Sequence, residues 1–210
     1  MRRRYRLLVA LLASSACGHG TPAPETPRPA AERPPPPARS VRLPTLDDLL
    51  QQDVTADSAF PWSARRRLSW SDFRGRPPGD GDEVAKTAYT LFYAWKCRGD
   101  AFDFRAIAAF RPRQSWVKAV ALNDAVLRRS TLGHEQTHFD LAEAHARRMR
   151  GYFRTLAGAC GKTDEELRAL AGQLIQAEKA EQRRYDSETD HGQRSERQAA
   201  WTDEVTRRLQ

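Results

Sequence analysis

The chain has little of what builds metal-clamped or disulfide-laced scaffolds. Only three of its 210 residues are cysteine. Cys97 and Cys160 lie far outside the spacing of a zinc-binding cysteine pair. A single Cys97–Cys160 bridge is expected if the chain meets an oxidising compartment, although spacing alone does not establish proximity. No internal repeat is present. The apolar run at residues 7–13 is too short for a dependable membrane span. A strong excess of one charge sign is also lacking in the body of the chain. The full sequence carries +8, but without Arg2, Arg3, Arg4 and Arg6 there are 31 basic against 27 acidic side chains, a net of +4. The arginines are interspersed with carboxylates, as on a solvated surface. Nucleic acid is therefore not an expected partner.

The N-terminus reads as an address. Basic residues 2–6, the short apolar run and then Ser14, Ser15 and Ala16 form an export signal. Cys17 follows where the leader should end, so residues 1–17 are expected to be a lipoprotein-type signal with a lipid anchor on Cys17. Ordinary cleavage after Ala16 is the alternative, since the usual Leu three residues before the cysteine is missing. Residues 18–42 are rich in proline, including Pro34 to Pro37. They cannot bury a core and read as an extended tether. Residues 43–210 remain for one folded domain in the cell envelope, periplasmic or held on the outer membrane.

Within that domain Thr45 caps a short helix. Alternating residues Thr87, Tyr89, Leu91, Tyr93 and Trp95 predict a strand over 85–96, and Phe102, Phe104, Ala106, Ala108 and Phe110 a second over 102–111. Arg98-Gly99-Asp100 suits a hairpin between them. A shorter strand is expected over 115–121. Asn123 or Asp124 caps a long helix running to about residue 156, with Leu132, Phe139, Ala142, Ala146, Met149 and Phe153 as its apolar stripe. Thr163 and Glu166 form a capping box. They open a helix whose core face is Leu167, Leu170, Leu174 and Ala177. A last helix carries Trp201, Val205 and Leu209. Strands followed by helices indicate an α+β fold.

The long helix contains His134-Glu135-Gln136-Thr137-His138. Histidines four apart share one helical face, one turn from each other, and can hold one Zn²⁺. Glu135 is then placed to act as general base toward zinc-activated water. A catalytic zinc needs a third protein ligand. His145 is about 10 Å along the axis from His138 and about 16 Å from His134 at the rise of a helix. It is too far to join them and is expected on the surface. His191 is the preferred third ligand, with Asp186, Glu188, Glu178 and Glu181 as acidic alternatives. Tyr185 is a candidate donor to the oxyanion, or a packing residue at its helix end. Asp140 and Asp186 are candidates to orient a ligand histidine. Gly133 costs the helix about 1 kcal/mol relative to Ala; a close backbone approach near the metal would be one reason for it.

Residues 68–73, 88–90, 115–116, 134–140 and 185–192, with Gln198 and Trp201, together resemble a bacterial family of uncharacterised exported proteins assigned to the zinc-dependent proteases of the zincin group. The pairing of HEQTHFD with the distant YDSETDHG carries the resemblance. It implies a zincin-like fold with a small, mainly antiparallel sheet beside the motif helix and helices after it. It also implies zincin roles for His134, His138 and Glu135, with His191 as third ligand. The metzincin pattern does not fit, because Leu141 and Ala144 stand where it needs glycine and histidine. A thermolysin-like pattern would take Glu178 or Glu181. The expected function is a zinc-dependent peptidase of the cell envelope acting on peptide or protein. A zinc hydrolase of non-peptide amides or esters, and a non-catalytic binding lipoprotein, are the alternatives.

Overall fold

The computed structural model describes residues 45–56 and 58–210. The expected export signal, Cys17 and the tether lie outside them. The order is α1 (Leu46–Ala56), β1 (Phe60–Pro61), β2 (Ala85–Lys86), β3 (Tyr89–Arg98), β4 (Ala101–Phe110), β5 (Trp116–Val117), α2 (Val120–Asn123), α3 (Ala125–Arg154), α4 (Asp164–Thr189) and α5 (Ser195–Arg208). The fold is α+β: small antiparallel sheets beside one long helix, with two helices after it.

The hairpin of β3 and β4 is the centre of the sheet, whose strand order is β1-β4-β3. Arg98 pairs with Ala101, leaving a two-residue turn in which Gly99 takes φ +60°. Tyr89 pairs with Phe110, Leu91 with Ala108, Tyr93 with Ala106 and Trp95 with Phe104. Directly paired residues share a face, so both expected apolar faces are one surface. It packs on the stripe of α3: Phe104, Ala106, Ala146, Met149 and Phe153 form one cluster, and Ala108, Phe110, Phe139 and Ala142 another. Phe104 stacks on Phe153 with ring centroids 4.0 Å apart. Leu50 and Val54 of α1 are buried, and α1 meets both β3 and β4.

The strand expected over 85–96 is interrupted. Ala88 N–H donates to Ser115 Oγ (2.9 Å), its carbonyl accepts from Arg111 N–H (2.8 Å), and Thr87 Oγ1 donates to the Glu135 carbonyl (3.1 Å). These bonds replace the ladder locally, so β2 leaves β4 and pairs with β5 instead. The run at 115–121 likewise divides into β5 and α2.

The caps lie where the side-chain chemistry puts them. Asp124 accepts from Val126 and Leu127 N–H at the start of α3. Thr163 and Glu166 exchange bonds at the start of α4, and Thr45 and Asp48 at the start of α1. The expected core face of α4 needs one correction. Ala177 is exposed and Glu178 takes the interior position, where Tyr89 and Gln182 satisfy its carboxylate. Cys97 and Cys160 form a disulfide with Cα atoms 5.8 Å apart. It ties the end of β3 to the turn between α3 and α4.

His145 is not on the surface; it is 2 % exposed. α4 and α5 cover that side of α3, and its Nε2–H donates to Glu181, which Arg208 clamps at 3.0 and 3.2 Å. Burial pushes the imidazole below its ordinary value in spite of the Glu181 carboxylate. Below about pH 6.5 the unfolded chain therefore binds a proton that the folded chain refuses, and stability falls on acidification. His145→Gln should flatten that slope between pH 6.5 and 5, as read by denaturant unfolding at both pH values.

Candidate metal centre

One helical turn brings His134 and His138 together, with rings edge-to-face and centroids 4.7 Å apart. α4 returns antiparallel and supplies Asp186. His134 Nε2 and His138 Nε2 are 3.1 Å apart. Asp186 Oδ1 is 3.2 Å from the first and 2.9 Å from the second.

The far side of each ring sets its tautomer. Gln182 Nε2 donates to the His138 carbonyl (3.1 Å) and to Glu178 Oε1 (2.9 Å), both acceptors. Its Oε1 must then face His138 Nδ1, at 2.7 Å. Gln198 Nε2 reaches Thr137 and Thr202 (3.4 and 3.2 Å), while its Oε1 accepts from Tyr185 and lies 3.0 Å from His134 Nδ1. Both Nδ1 atoms thus carry the proton, and both Nε2 lone pairs point to the same spot.

Two lone pairs and a carboxylate oxygen repel one another unless a cation joins them. Asp186 Oδ1 and Glu135 Oε2 are buried, and among the described residues neither has a hydrogen bond of good geometry. Ligands 2.0–2.1 Å from a tetrahedral zinc stand about 3.3 Å apart, close to the spacings found. His134, His138 and Asp186 are the group of described residues able to hold an ion together, so the donor set fits the metal expected from the motif. Without an ion, protons would have to take its place: burial works against ionisation of Asp186, but Nε2–H donation from His134 and His138 would hold its carboxyl well below the usual carboxylate range. Burial likewise works against charge on His138, yet Asp186 and Glu135 raise its basicity.

The centre opens into a cleft of about 200 Å³, walled by residues 83–87 and Tyr89 on the strand side and by Thr131, Glu135, His138 and Asp186 on the helix side. Glu135 lies where the motif puts it, in the cleft beside His134. His191 also lines the cleft, but it stands at the mouth. Its side chain is 64 % exposed, with Nδ1 3.9 Å from Asp186 Oδ1. The turn that holds it is left-handed at three successive residues, Asp190, His191 and Gly192. A Cβ at 192 would lie 3.0 Å from that of His134, so this position, and not Gly133, is where backbone meets the site; a Cβ at Gly133 meets nothing within 4 Å.

Tyr185 is not an oxyanion donor. It is fully buried behind the histidines. Its ring stacks on His134 with centroids 4.7 Å apart, and its hydroxyl donates to Gln198 Oε1 at 2.7 Å. Asp140 does not orient a histidine either. It accepts from Trp62 Nε1 (2.8 Å), Gln136 Nε2 (2.8 Å) and Arg67 (2.9 Å), while Gln136 Oε1 accepts from Leu68 N–H (2.6 Å). The motif's polar residues on that side hold the 62–68 segment. Glu181 and Glu188 are engaged elsewhere, with Arg208 and Trp201 respectively. Sequence reasoning gave no role to Gln182 or Gln198. The usable signal was a long polar side chain on a partner helix, since a ligand imidazole needs an acceptor at its second nitrogen.

Residues 63–192 match a family described as bacterial protein of unknown function, DUF922. The chain belongs to this family. No curated protein and no solved structure matches it. The DUF922 match includes His134, Glu135, His138, Asp186 and His191 and ends at Gly192. Gln198, which orients His134 from α5, lies beyond it.

Proposed function

We propose that this DUF922 chain is a zinc-dependent hydrolase of the zincin type that cleaves peptide bonds. The observation that carries the reading is the meeting of two Nε2 lone pairs and the Asp186 carboxylate beside Glu135, whose Oε2 is buried, unpaired and in the cleft. His134, His138 and Asp186 would hold the ion. Zinc there would supply Lewis acidity and bring the pKa of a water near 7. Glu135 is the general base: it accepts the proton at its free carboxylate oxygen and returns it to the leaving nitrogen. Residues 83–87, which include β2, and Tyr89 wall the cleft on the side facing Glu135. Gln182 and Gln198 keep the two imidazoles in the ligating tautomer. The Cys97–Cys160 bridge supports an oxidising compartment, and with the leader this favours the cell envelope. No helix among the described residues is long and apolar enough to cross a membrane.

Metal stoichiometry tests the ligand set. Wild type is expected to hold about one zinc per chain after reconstitution. Asp186→Ala should lose most of it, and His191→Ala should keep it. The opposite pattern would restore the three-histidine set expected from sequence. Wild type without zinc would remove the hydrolase reading.

A further inference from the structure

The two imidazoles are backed by different chemistry. Behind His134 the Gln198 amide ends on the hydroxyls of Thr137 and Thr202. Behind His138 the Gln182 amide ends on Glu178, a carboxylate 2 % exposed on α4. Tyr89, from the cleft wall, donates its hydroxyl to the same Glu178 oxygen. The hydrolytic reading makes no use of Glu178, which stands outside the ligand group. Yet it occupies an interior position in line with Leu167, Leu170 and Leu174, where an apolar residue would pack without charge to satisfy.

We propose that Glu178 is a positioning residue of the metal centre, acting through Gln182 on His138. The proposal rests on the zinc reading of the site. If the Gln182 amide turned over, its oxygen would meet the Glu178 carboxylate and its NH₂ group would meet His138 Nδ1. Two acceptors would then face each other at one end, and the ring would have to present its lone pair away from the metal. The carboxylate and the His138 carbonyl, both acceptors only, together forbid this. They fix the amide, and the amide dictates the tautomer. Its charge also polarises the amide and the Nδ1–H in surroundings of low dielectric, which makes His138 Nε2 a stronger donor than the ring alone. The relay behind His134 has no such charge, so the two histidines are unequal ligands. Tyr89 anchors the far end without carrying the effect.

The test compares wild type, Glu178→Gln and Tyr89→Phe in the full chain, by zinc competition with a chromophoric chelator and by the visible spectrum of the cobalt(II) form. All three are expected to take one ion per chain. Glu178→Gln should bind zinc about tenfold more weakly or worse and shift the cobalt bands, with an unchanged thermal midpoint. Tyr89→Phe removes a hydrogen bond from the same cluster but keeps the charge, and should bind at least as tightly as wild type. Wild-type affinity and spectrum in Glu178→Gln would overturn the proposal and leave the zinc site standing. Equal weakening in both variants would also overturn it, since that marks packing and not charge. If Glu178→Gln does not fold, Glu178→Met, which also removes the charge at similar volume, takes its place with the same expectation. Failure of wild type to bind either metal would overturn the zinc reading and this proposal with it.

Discussion

Glu135→Gln is expected to lower peptide hydrolysis by about 10²–10⁴-fold, the range for loss of a positioned general base, while zinc stays at one per chain. The carboxylate is the cleft-lining group without a hydrogen-bond partner on Oε2, so it is free to take a proton. An amide of the same shape cannot. The loss should fall on kcat, with KM little changed, because the substitution alters proton transfer and not the walls of the cleft. Stability should hold or rise in the same protein, since an unpaired buried carboxylate oxygen is costly. A zinc assay, a peptide-library rate and a thermal melt on one preparation read all three. Wild-type turnover in Glu135→Gln would exclude this residue as the base.

Removing the Cys97–Cys160 bond should produce the largest loss of stability. The residues are 63 apart in sequence, and the chain-entropy model gives about 4 kcal/mol for a loop of that size. For a domain of this length that corresponds to roughly 10 °C in Tm. The bond joins the hairpin end of β3, where Cys97 pairs with Phe102 of β4, to the turn that reverses α3 into α4, so without it the returning helix loses its cross-link to the sheet. Urea unfolding of the double Cys→Ser protein against oxidised wild type measures the difference. Equal midpoints, with Cys97 and Cys160 both reacting as free thiols in wild type, would mean the bond does not form.

The parts of this structure that were legible in sequence are those whose causes are local. The caps at Asp124 and Thr163 use a side chain and the next turn of backbone. The faces of β3 and β4 follow from alternation, and the motif helix from its stripe. What escaped depends on distant partners. His145 is a polar residue off the apolar stripe, which periodicity reads as solvated; only α4 and α5, contributing Glu181 and Arg208, make it interior. Glu178 took the interior place expected for Ala177 because Tyr89, from a strand far earlier in the chain, reaches it. Asp186 and His191 are five residues apart on the same helix end. The left-handed turn at Asp190 decides which of them meets the histidines, and helical periodicity carries no information about that turn. The DUF922 family description adds no activity, so the chemistry rests on the residues themselves.

The His134 ring is closely held: Tyr185 stacks on it, Gln198 meets its Nδ1, and the bare backbone of Gly192 lies so near that a Cβ there would come within 3.0–3.2 Å of its Cβ, Cγ and Nδ1. That imidazole has surrendered its rotational freedom in folding. An ion arriving at it orders no side chain there, so less of its binding energy is spent on immobilising a ligand. Association should then be governed by how quickly the ion sheds water. A side chain at position 192 would pry the ring loose and move that ordering cost back into the binding step, weakening affinity without touching a single ligand atom.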